Sequence, residues 1–505
     1  MRSHRSFLIV MLFFILIHTV LLLWAPLFPF TDLPNHLAEA TIYKYGHPQN
    51  LIGQYYESVP GFYPNTFHTV FCSLFPPVEW GNRIFYALYA VLLLTSVYLA
   101  IRQLNGNSWY GLLCLLFIYN YNTTWGFTGF TIAIPTTIFL FYTALLDIKR
   151  PRIGYTIAAS LLLVLLYLMH AQMALFGLLL YGCMMLYAFW KRWKIFFLRI
   201  FITVLPVICI VGIWWTHRAT EQAEGSTISF LAHYYKTVYF KDFYKRILLF
   251  VYDQMALFSG LKGIAAAIVI LLLIILPLFF YKAWTTTLRS SLKSGQFIYP
   301  FIFVVLSTGC FFVLPNELPG QSPLYQRFCT VVFLSFIIFA SVLMKEVRSR
   351  AFSFYTIAAC LLYSFFWGQY FYAFNKENEV FRPSFFKQVP PQKILSGLMF
   401  ENKFRGREVY LHFPGYNLVW NHGLTTSKAI DYRFGVVRRG NRGNEIPFYQ
   451  EWIGKNSRII SSYQDSVHYL LVKEKQPVQP DSNLVNFKPV LQTAQWSLYK
   501  NSRIN

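Results

Sequence analysis

Residues 7–28 read FLIVMLFFILIHTVLLLWAPLF, an apolar run without a charged residue. A helix of about 20 such residues crosses the hydrocarbon core of a bilayer. No small-residue cleavage site follows, so we expect an uncleaved first span rather than a signal peptide. Ten further apolar runs lie near residues 84–101, 109–120, 127–146, 154–169, 171–190, 196–215, 263–281, 297–314, 328–344 and 351–372. The sequence therefore predicts an all-α polytopic membrane protein with about eleven membrane-spanning helices.

The composition supports this prediction and indicates a boundary near residue 375. Of the 505 residues, 56% are hydrophobic and only 13% are charged, whereas soluble domains carry about 25% charged residues. Residues 1–375 contain 11 of the 21 Asp and Glu residues, and the last 130 residues contain the other 10. We expect a membrane module over 1–375, with long loops at 29–83 and 216–262, and a water-exposed domain over 376–505.

The basic residues predict an orientation. With the N-terminus inside, every second turn between spans is basic, as the positive-inside rule requires. These turns carry Arg102; Lys149, Arg150 and Arg152; Lys191, Arg192 and Lys194; Lys282, Arg289 and Lys293; and Lys345, Arg348 and Arg350. The net charge of +23 is therefore attributed to topology and anionic lipid, and no nucleic-acid partner is expected. Both long loops and the C-terminal domain are predicted to face outward.

The C-terminal segment is predicted to be a small mixed α/β domain. Apolar and polar residues alternate at Val409–Phe413, Val467–Val472 and Gln495–Tyr499, a pattern typical of strands. A helix is predicted over Gln392–Phe400. The seven cysteines all precede residue 375 and show no zinc or disulfide spacing.

One acid stands out where the first span ends. Asp32 lies in Thr31-Asp32-Leu33-Pro34-Asn35-His36-Leu37-Ala38-Glu39-Ala40, where an acid at the lip of a span is partly desolvated and its basicity can be tuned. Pro34 favours a helix start, so Asp32 has a second interpretation as a simple N-cap. The residues alone do not decide between the catalytic and the N-cap interpretation of Asp32. Nine acids of the membrane module are predicted to face outward: Asp32, Glu39, Glu57, Glu79, Glu221, Glu224, Asp242, Asp253 and Glu317.

An apolar first helix that ends in this Asp-Leu-Pro-Asn-His motif resembles the GT-C family of membrane glycosyltransferases, including bacterial mannosyl- and arabinosyltransferases. The Trp125–Phe130 stretch before a helix containing Pro135, and the Met169-His170 turn, are also similar to bacterial members. In that family an Asp of the first outer loop is the catalytic base or supports acceptor and metal. The Asp-Glu pair of some members is absent, because Leu33 follows Asp32, which leaves the subfamily and the use of a divalent metal open.

The resemblance implies a reaction and assigns roles to residues. A sugar would move from a polyprenyl-phosphate donor to an extracytoplasmic glycan or protein acceptor, with Asp32 and its neighbour His36 as catalytic residues. Arg327, at the start of the tenth span, would bind the leaving phosphate, helped by Lys241 and Lys245. Arg327 has a second interpretation as an interfacial residue whose side chain snorkels to the membrane surface. Lys241 and Lys245 have a second interpretation as contacts to lipid headgroups. Glu39, His170 and Asp253 are further expected site-lining residues.

Two other functions stay open on the residues alone. A lipid-linked sugar flippase or other transporter would favour internal repeats and charges at mid-membrane, and neither is visible. A non-catalytic membrane assembly protein would tolerate replacement of Asp32. A cytoplasmic nucleotide-sugar transferase is disfavoured because the cytoplasmic turns are short and basic. No organic cofactor is expected. The predicted location is a bacterial inner or plasma membrane, with multiple passes.

Overall fold

The computed structural model describes residues 2–59, 62–218, 231, 233–252, 260–280, 297–318, 322–426, 436–447, 465–474 and 486–504. The chain divides into two compact units. Unit 1 comprises Met1–Leu21, Tyr86–Thr123 and Gly129–Gly368, and unit 2 comprises Leu22–Phe85, Thr124–Thr128 and Gln369–Asn505. Unit 2 thus joins the residues after 375 to the first long loop.

Unit 1 is helical. Helices are numbered in chain order through the whole chain, and those lying mainly in this unit are α1 (Arg2–Trp24), α5 (Val78–Gln103), α6 (Ser108–Gly111), α7 (Tyr121–Trp125), α8 (Thr128–Lys149), α9 (Ile153–Met169), α10 (Ala171–Phe189), α11 (Trp193–Arg218), α12 (Tyr239–Tyr252), α13 (Gly260–Phe280), α14 (Ile298–Val313), α15 (Phe328–Leu343) and α16 (Arg350–Glu377). A π-helical turn covers Tyr234–Val238, and 3-10 turns cover Leu112–Phe117 and Tyr325–Arg327.

The predicted membrane-spanning class is confirmed. Within the described ranges, eight helices are long and apolar enough to cross a membrane, and α9 and α14 are shorter apolar helices. Ten of the eleven predicted spans coincide with these helices. Large apolar side chains are exposed on these helices, including Ile9, Leu16 and Phe201, which are 68%, 61% and 62% exposed. The orientation of the chain stays a prediction.

The predicted span at 109–120 is wrong as a regular helix. The four residues of α6 lead into the 3-10 turn Leu112–Phe117, whose side chains are at most 1% exposed. Asn107 binds the C-terminal end of α15 through Ser341 O (2.8 Å) and Met344 O (3.1 Å), while the Asn122 amide binds Arg327 O at its N-terminal start (3.0 Å). The segment therefore runs the length of α15, about 24 Å at 1.5 Å per residue.

This irregular crossing has a physical reason. Backbone that is not helical is tolerated at membrane depth only when protein surrounds it, because lipid cannot satisfy its polar groups. Complete burial meets that requirement here. Tyrosines complete the packing, since Tyr110 donates to Ile274 O (2.9 Å) and Tyr363 donates to Tyr119 O (2.8 Å). Hydropathy alone does not separate such a segment from a lipid-facing helix.

Helix α12 is amphipathic. Tyr244, Ile247 and Leu248 are at least half exposed, whereas Arg246 is fully buried on the opposite face. The Arg246 guanidinium donates to backbone carbonyls at the end of α14, including Leu314 O at 2.7 Å, and stacks on the Tyr325 ring at 4.1 Å. The helix begins at Tyr239, inside the predicted outer loop 216–262, and residues 253–259 lie outside the described ranges.

Unit 2 is built around a four-stranded sheet. Its strands are β2 (Leu395–Met399), β6 (Tyr469–Lys473), β7 (Phe487–Gln492) and β8 (Trp496–Asn501), in the order β2-β6-β8-β7. Within this sheet β2 and β6 pair in parallel, whereas β8 pairs antiparallel with both β6 and β7. Two small antiparallel pairs join β1 (Tyr56–Ser58) to β5 (Val437–Arg439) and β3 (Lys403–Phe404) to β4 (Arg407–Glu408). The helices are α2 (Leu33–Tyr45), α3 (Leu51–Tyr55), α4 (Phe67–Ser73) and α17 (Tyr416–Asn421).

The predicted small mixed α/β region is confirmed, with two corrections. Residues 395–399 of the predicted helix Gln392–Phe400 form strand β2. All five residues are buried, so the segment lacks the alternation that identifies a half-exposed strand. The predicted strand Val409–Phe413 is instead irregular and leads into a 3-10 turn. Its side chains are fixed by packing, with the ring of Phe413 stacked 5.3 Å from Trp496. The other two predicted strands correspond to β6 and β8.

Candidate active site

The turn that carries Asp32 is held rigidly by backbone hydrogen bonds within unit 2. Thr31 N–H donates to Thr124 O (3.1 Å), and Asp32 N–H donates to Trp125 O (2.9 Å). The Thr31 hydroxyl also donates to Glu408 O. Gly126 has φ +82°, and a Cβ there would lie 2.9 Å from Asp32 N. Only glycine fits this approach without strain, so the Trp125-Gly126 turn fixes the start of α2.

The Asp32 carboxylate does not cap its own helix. Asp32 occupies the N-cap position of α2, but its side chain makes no cap hydrogen bond. Its Oδ1 instead lies 3.3 Å from Nε2 of His412, and the two side chains are 29% and 4% exposed. A buried imidazole nitrogen thus lies beside a partly exposed carboxylate. This arrangement orients a carboxylate for proton transfer, and it disfavours the interpretation of Asp32 as a simple N-cap.

Sequence reasoning missed His412. It lies 380 residues after Asp32, in Leu411-His412-Phe413, and no local pattern marks it. Residues 405–412 bring it to the site, because Glu408 O accepts the Thr31 hydroxyl bond four residues earlier. A histidine in an otherwise apolar stretch of the C-terminal domain is the one available signal, and it is a weak one.

The other predicted residues of the first loop form a second polar cluster. His36 Nδ1 lies 3.1 Å from Glu39 Oε2, and the Thr69 hydroxyl donates to the same oxygen at 3.3 Å. The His36 ring stands 5.7 Å from the ring of His68, which is 1% exposed and bonds to Asn82 Oδ1 at 3.0 Å. Burial, with a contribution from His36, lowers the pKa of His68 to about 3. His68 is therefore neutral, and His36 and Glu39 present the cluster's polar groups.

In unit 1, Arg327 and His170 contact each other. Arg327 Nη1 lies 2.8 Å from His170 Nε2. A guanidinium has only donors, so His170 must accept and is neutral, with its proton on Nδ1. His170 is 6% exposed and packs edge-on against Phe130. The predicted phosphate partner and the predicted site-lining histidine are thus brought together.

The remaining predicted residues are less informative. Lys245 is an exposed residue of α12, the helix that also contains Lys241. Asp253 lies outside the described residues. Asp32, His36 and Glu39 belong to unit 2, and Arg327, His170, Lys241 and Lys245 belong to unit 1.

The described residues do not form a cluster of metal ligands. Within those ranges, no three His, Cys, Asp or Glu side chains are placed to hold an ion together. Asp32 and His412 make a pair, and His36 and Glu39 make another. A divalent ion prefers several oxygen ligands in one shell, and neither pair alone supplies them.

Comparison with known proteins establishes the fold. No family model matches this chain, and no curated protein matches it. The crystal structure of ArnT from Cupriavidus metallidurans in the apo state aligns over 99% of this chain and 98% of its own, with 13% identity and a TM-score of 0.53. A structure of ArnT from the same organism bound to undecaprenyl phosphate aligns over 98% and 97%, with 14% identity and a TM-score of 0.44. The expected GT-C-like membrane fold is confirmed over the whole chain.

Proposed function

We propose that this protein is a membrane glycosyltransferase that moves a sugar from a polyprenyl-phosphate donor to an extracytoplasmic acceptor. The observation that carries the proposal is the Asp32 carboxylate. It is partly exposed, does not cap α2, and is held by buried His412 at 3.3 Å. A carboxylate oriented by a second group and open to solvent is the arrangement expected of a general base. The GT-C-like fold supports the proposal.

The proposed reaction is a direct displacement at the anomeric carbon. Asp32 takes the proton of the acceptor hydroxyl as that oxygen bonds to the anomeric carbon. The bond between that carbon and the phosphate oxygen breaks, and the electron pair leaves with the polyprenyl phosphate. General-base catalysis of this kind contributes about 10²- to 10⁴-fold. His412 Nε2 lies 3.3 Å from Oδ1 of Asp32, and this contact is proposed to fix the orientation of the carboxylate during the transfer.

Arg327 is the proposed partner of the leaving phosphate. Charge-assisted bonds from a guanidinium to phosphate oxygens are short and strong, and two can form in parallel. The bond to neutral His170 at 2.8 Å restricts the Arg327 side chain, which lowers the entropy lost when a phosphate binds. Lys241 and Lys245 are proposed to add positive charge. Glu39 and Asp253 remain proposed site-lining residues, and His36 a proposed catalytic neighbour.

The test replaces Asp32 in the full-length protein. Asp32→Asn keeps the shape and removes the base, and Asp32→Ala removes the side chain. Asp465→Asn is the matched control, because the same chemical change falls on a side chain that is 78% exposed. After membrane insertion is verified, transfer from a panel of lipid-linked sugars is measured. We expect transfer to fall at least about 100-fold in both Asp32 variants and to persist in the control.

Three outcomes would overturn the proposal. Wild-type transfer in both Asp32 variants would remove Asp32 as the base. Translocation of lipid-linked sugar that depends on Asp32, without any transfer, would favour a flippase instead. A protein without transfer or translocation, whose Asp32 variants behave like wild type in cells, would be an assembly protein.

A further inference from the structure

The β3–β4 hairpin of unit 2 presents three basic residues in five: Lys403, Arg405 and Arg407. Arg405 and Gly406 form its two-residue turn, with φ +47° and +86°. Two successive positive φ values are typical of the tight turn that joins antiparallel strands. A non-glycine residue is strained in this region, yet the turn carries an arginine. Its position in the two-residue turn places Arg405 at the tip of the hairpin.

This hairpin lies against the turn that carries Asp32. Glu408 O accepts the hydroxyl bond of Thr31. Arg407 Nη1 donates to Thr124 Oγ1 at 3.1 Å, and Thr124 O accepts from Thr31 N at 3.1 Å. With 3.8 Å between consecutive Cα atoms, the Arg407 guanidinium lies on the order of 10 Å from Asp32. The hairpin thus brings positive charge beside the proposed base.

The Arg405 side chain is exposed at its end but supported along its plane. Its guanidinium carbon stands 5.7 Å from the centroid of the Tyr370 ring and 5.4 Å from that of the Phe404 ring. Aromatic faces attract a guanidinium and hold its plane. Tyr370 is 1% exposed and Phe404 is 4% exposed, so this support is itself buried. A guanidinium held in this way retains its N–H edge for a bidentate ligand.

The third basic residue differs from the two arginines. Lys403 Nζ lies 4.0 Å from Glu408 Oε1, and the Lys403 side chain is 46% exposed. A carboxylate of the same hairpin therefore offsets its charge in part. Lys403 has the same charge and lies on the same hairpin, but its ammonium faces Glu408 rather than Thr124 or the Tyr370 ring. It provides a matched control for the two arginines.

We propose that Arg405 and Arg407 bind the phosphate group of a substrate whose hydroxyl or anomeric centre reacts at Asp32. Arginine forms two parallel charge-assisted bonds to phosphate, and a pair of arginines offsets the single charge of a phosphodiester donor as well as the two charges of a monoester. The phosphate belongs either to the polyprenyl-phosphate donor or to a phosphorylated acceptor. This proposal rests on the proposed function, which it extends to the substrate's anionic group.

The test uses the full-length protein in detergent or nanodiscs, with Arg405→Gln, Arg407→Gln and the control Lys403→Gln. One arm measures binding of polyprenyl monophosphate without sugar, which needs no turnover. The other measures KM and kcat for donor and acceptor separately. A phosphate of the donor predicts about tenfold weaker lipid-phosphate binding in each arginine variant. A phosphate of the acceptor predicts unchanged lipid binding and about tenfold higher acceptor KM, with kcat retained.

Arg405→Lys separates recognition from folding. It keeps the charge and loses the planar fork, so an intermediate loss is expected if the residue binds phosphate. Arginine variants that match Lys403→Gln in both arms would overturn the proposal. A wild-type protein that transfers no sugar would instead overturn the proposed function. The lipid-binding arm then decides the hairpin alone, and unchanged binding in the arginine variants refutes it.

Discussion

Replacing His412 by alanine removes the group that holds the Asp32 carboxylate. The histidine is 4% exposed, and its Nε2 lies 3.3 Å from Asp32 Oδ1. A hydrogen bond to a charged group contributes about 1.5–3 kcal/mol. If this contact acts as a charge-assisted hydrogen bond that orients the base in the transition state, His412→Ala should lower kcat roughly 10- to 150-fold. KM should change little, because the carboxylate remains in place.

The ordering of the variants sharpens this prediction. General-base catalysis by Asp32 is expected to contribute about 10²- to 10⁴-fold, so loss of its supporting residue must cost less than loss of the base. His412→Gln keeps an N–H donor and should restore part of the rate, whereas a purely structural role would give no such rescue. His47→Ala is the control, because His47 is an exposed histidine of the same unit.

The assay is steady-state transfer from a lipid-linked sugar, after thermal unfolding has shown that each variant is folded. The reasoning is refuted if His412→Ala retains wild-type kcat. It is equally refuted if His412→Ala loses more activity than Asp32→Ala. An increase in KM alone would assign His412 to acceptor binding rather than to support of the base.

Three further predictions concern stability. Gly126→Ala should destabilise unit 2 by about 1–2 kcal/mol, because φ at Gly126 is +82° and the new Cβ would lie 2.9 Å from Asp32 N. Gly154→Ala is the control, since a Cβ at Gly154 has no atom within 4 Å, and thermal unfolding compares the two variants. The folded-state pKa of His68 is lowered to about 3, so the unfolded chain binds more protons than the folded chain between pH 3 and 6.5. The free energy of unfolding should therefore rise with pH in that range, by up to about 1.4 kcal/mol per pH unit. His68→Asn should flatten this slope when denaturation is measured over a series of pH values. Asp147 and Arg199 form a buried ion pair, so either Asp147→Asn or Arg199→Met should lower the melting temperature through a loss of about 3–5 kcal/mol, and the double variant should recover part of it.

The overall class and ten of the eleven spans could be predicted because lipid selects long apolar runs, and that signal is local. The exception at 109–120 shows the limit of the signal. Those residues are as apolar as a span, but protein surrounds them, as the bonds of Asn107 and Asn122 to the two ends of α15 show. Which neighbours enclose a segment depends on tertiary packing, and hydropathy does not record it.

The C-terminal region failed for a related reason. Residues 395–399 have no alternation because β2 is buried on both faces, and a short apolar run of that kind fits a helix or a strand equally well. The two central strands were easier, since Tyr469–Lys473 and Trp496–Asn501 are rich in aromatic and branched residues. The burial of β2 on both faces thus accounts for the wrongly predicted helix over Gln392–Phe400.

At the candidate site, the sequence identified the acid but not its partners. The motif around Asp32 is contiguous, and His170 next to Met169 was visible as a turn. His412 and Arg407 reach the Asp32 turn through pairings between residues about 280 to 380 positions apart. A single sequence contains no record of such pairings, because they arise from the register of the tertiary fold. His412 and Arg407 could therefore be identified only from the folded structure.

The unused cap of α2 gives this site its strongest physical argument. An Asp at an N-cap normally accepts a hydrogen bond from its own helix and contributes about 0.5–2 kcal/mol. Asp32 occupies that position, next to a proline that favours the helix start, yet its carboxylate makes no such bond and meets His412 instead. Local rules fail most often where function requires a different geometry. The direction of the carboxylate is therefore set by residues 405–412 rather than by α2, so a change at His412 should alter the reaction while leaving the helix in place.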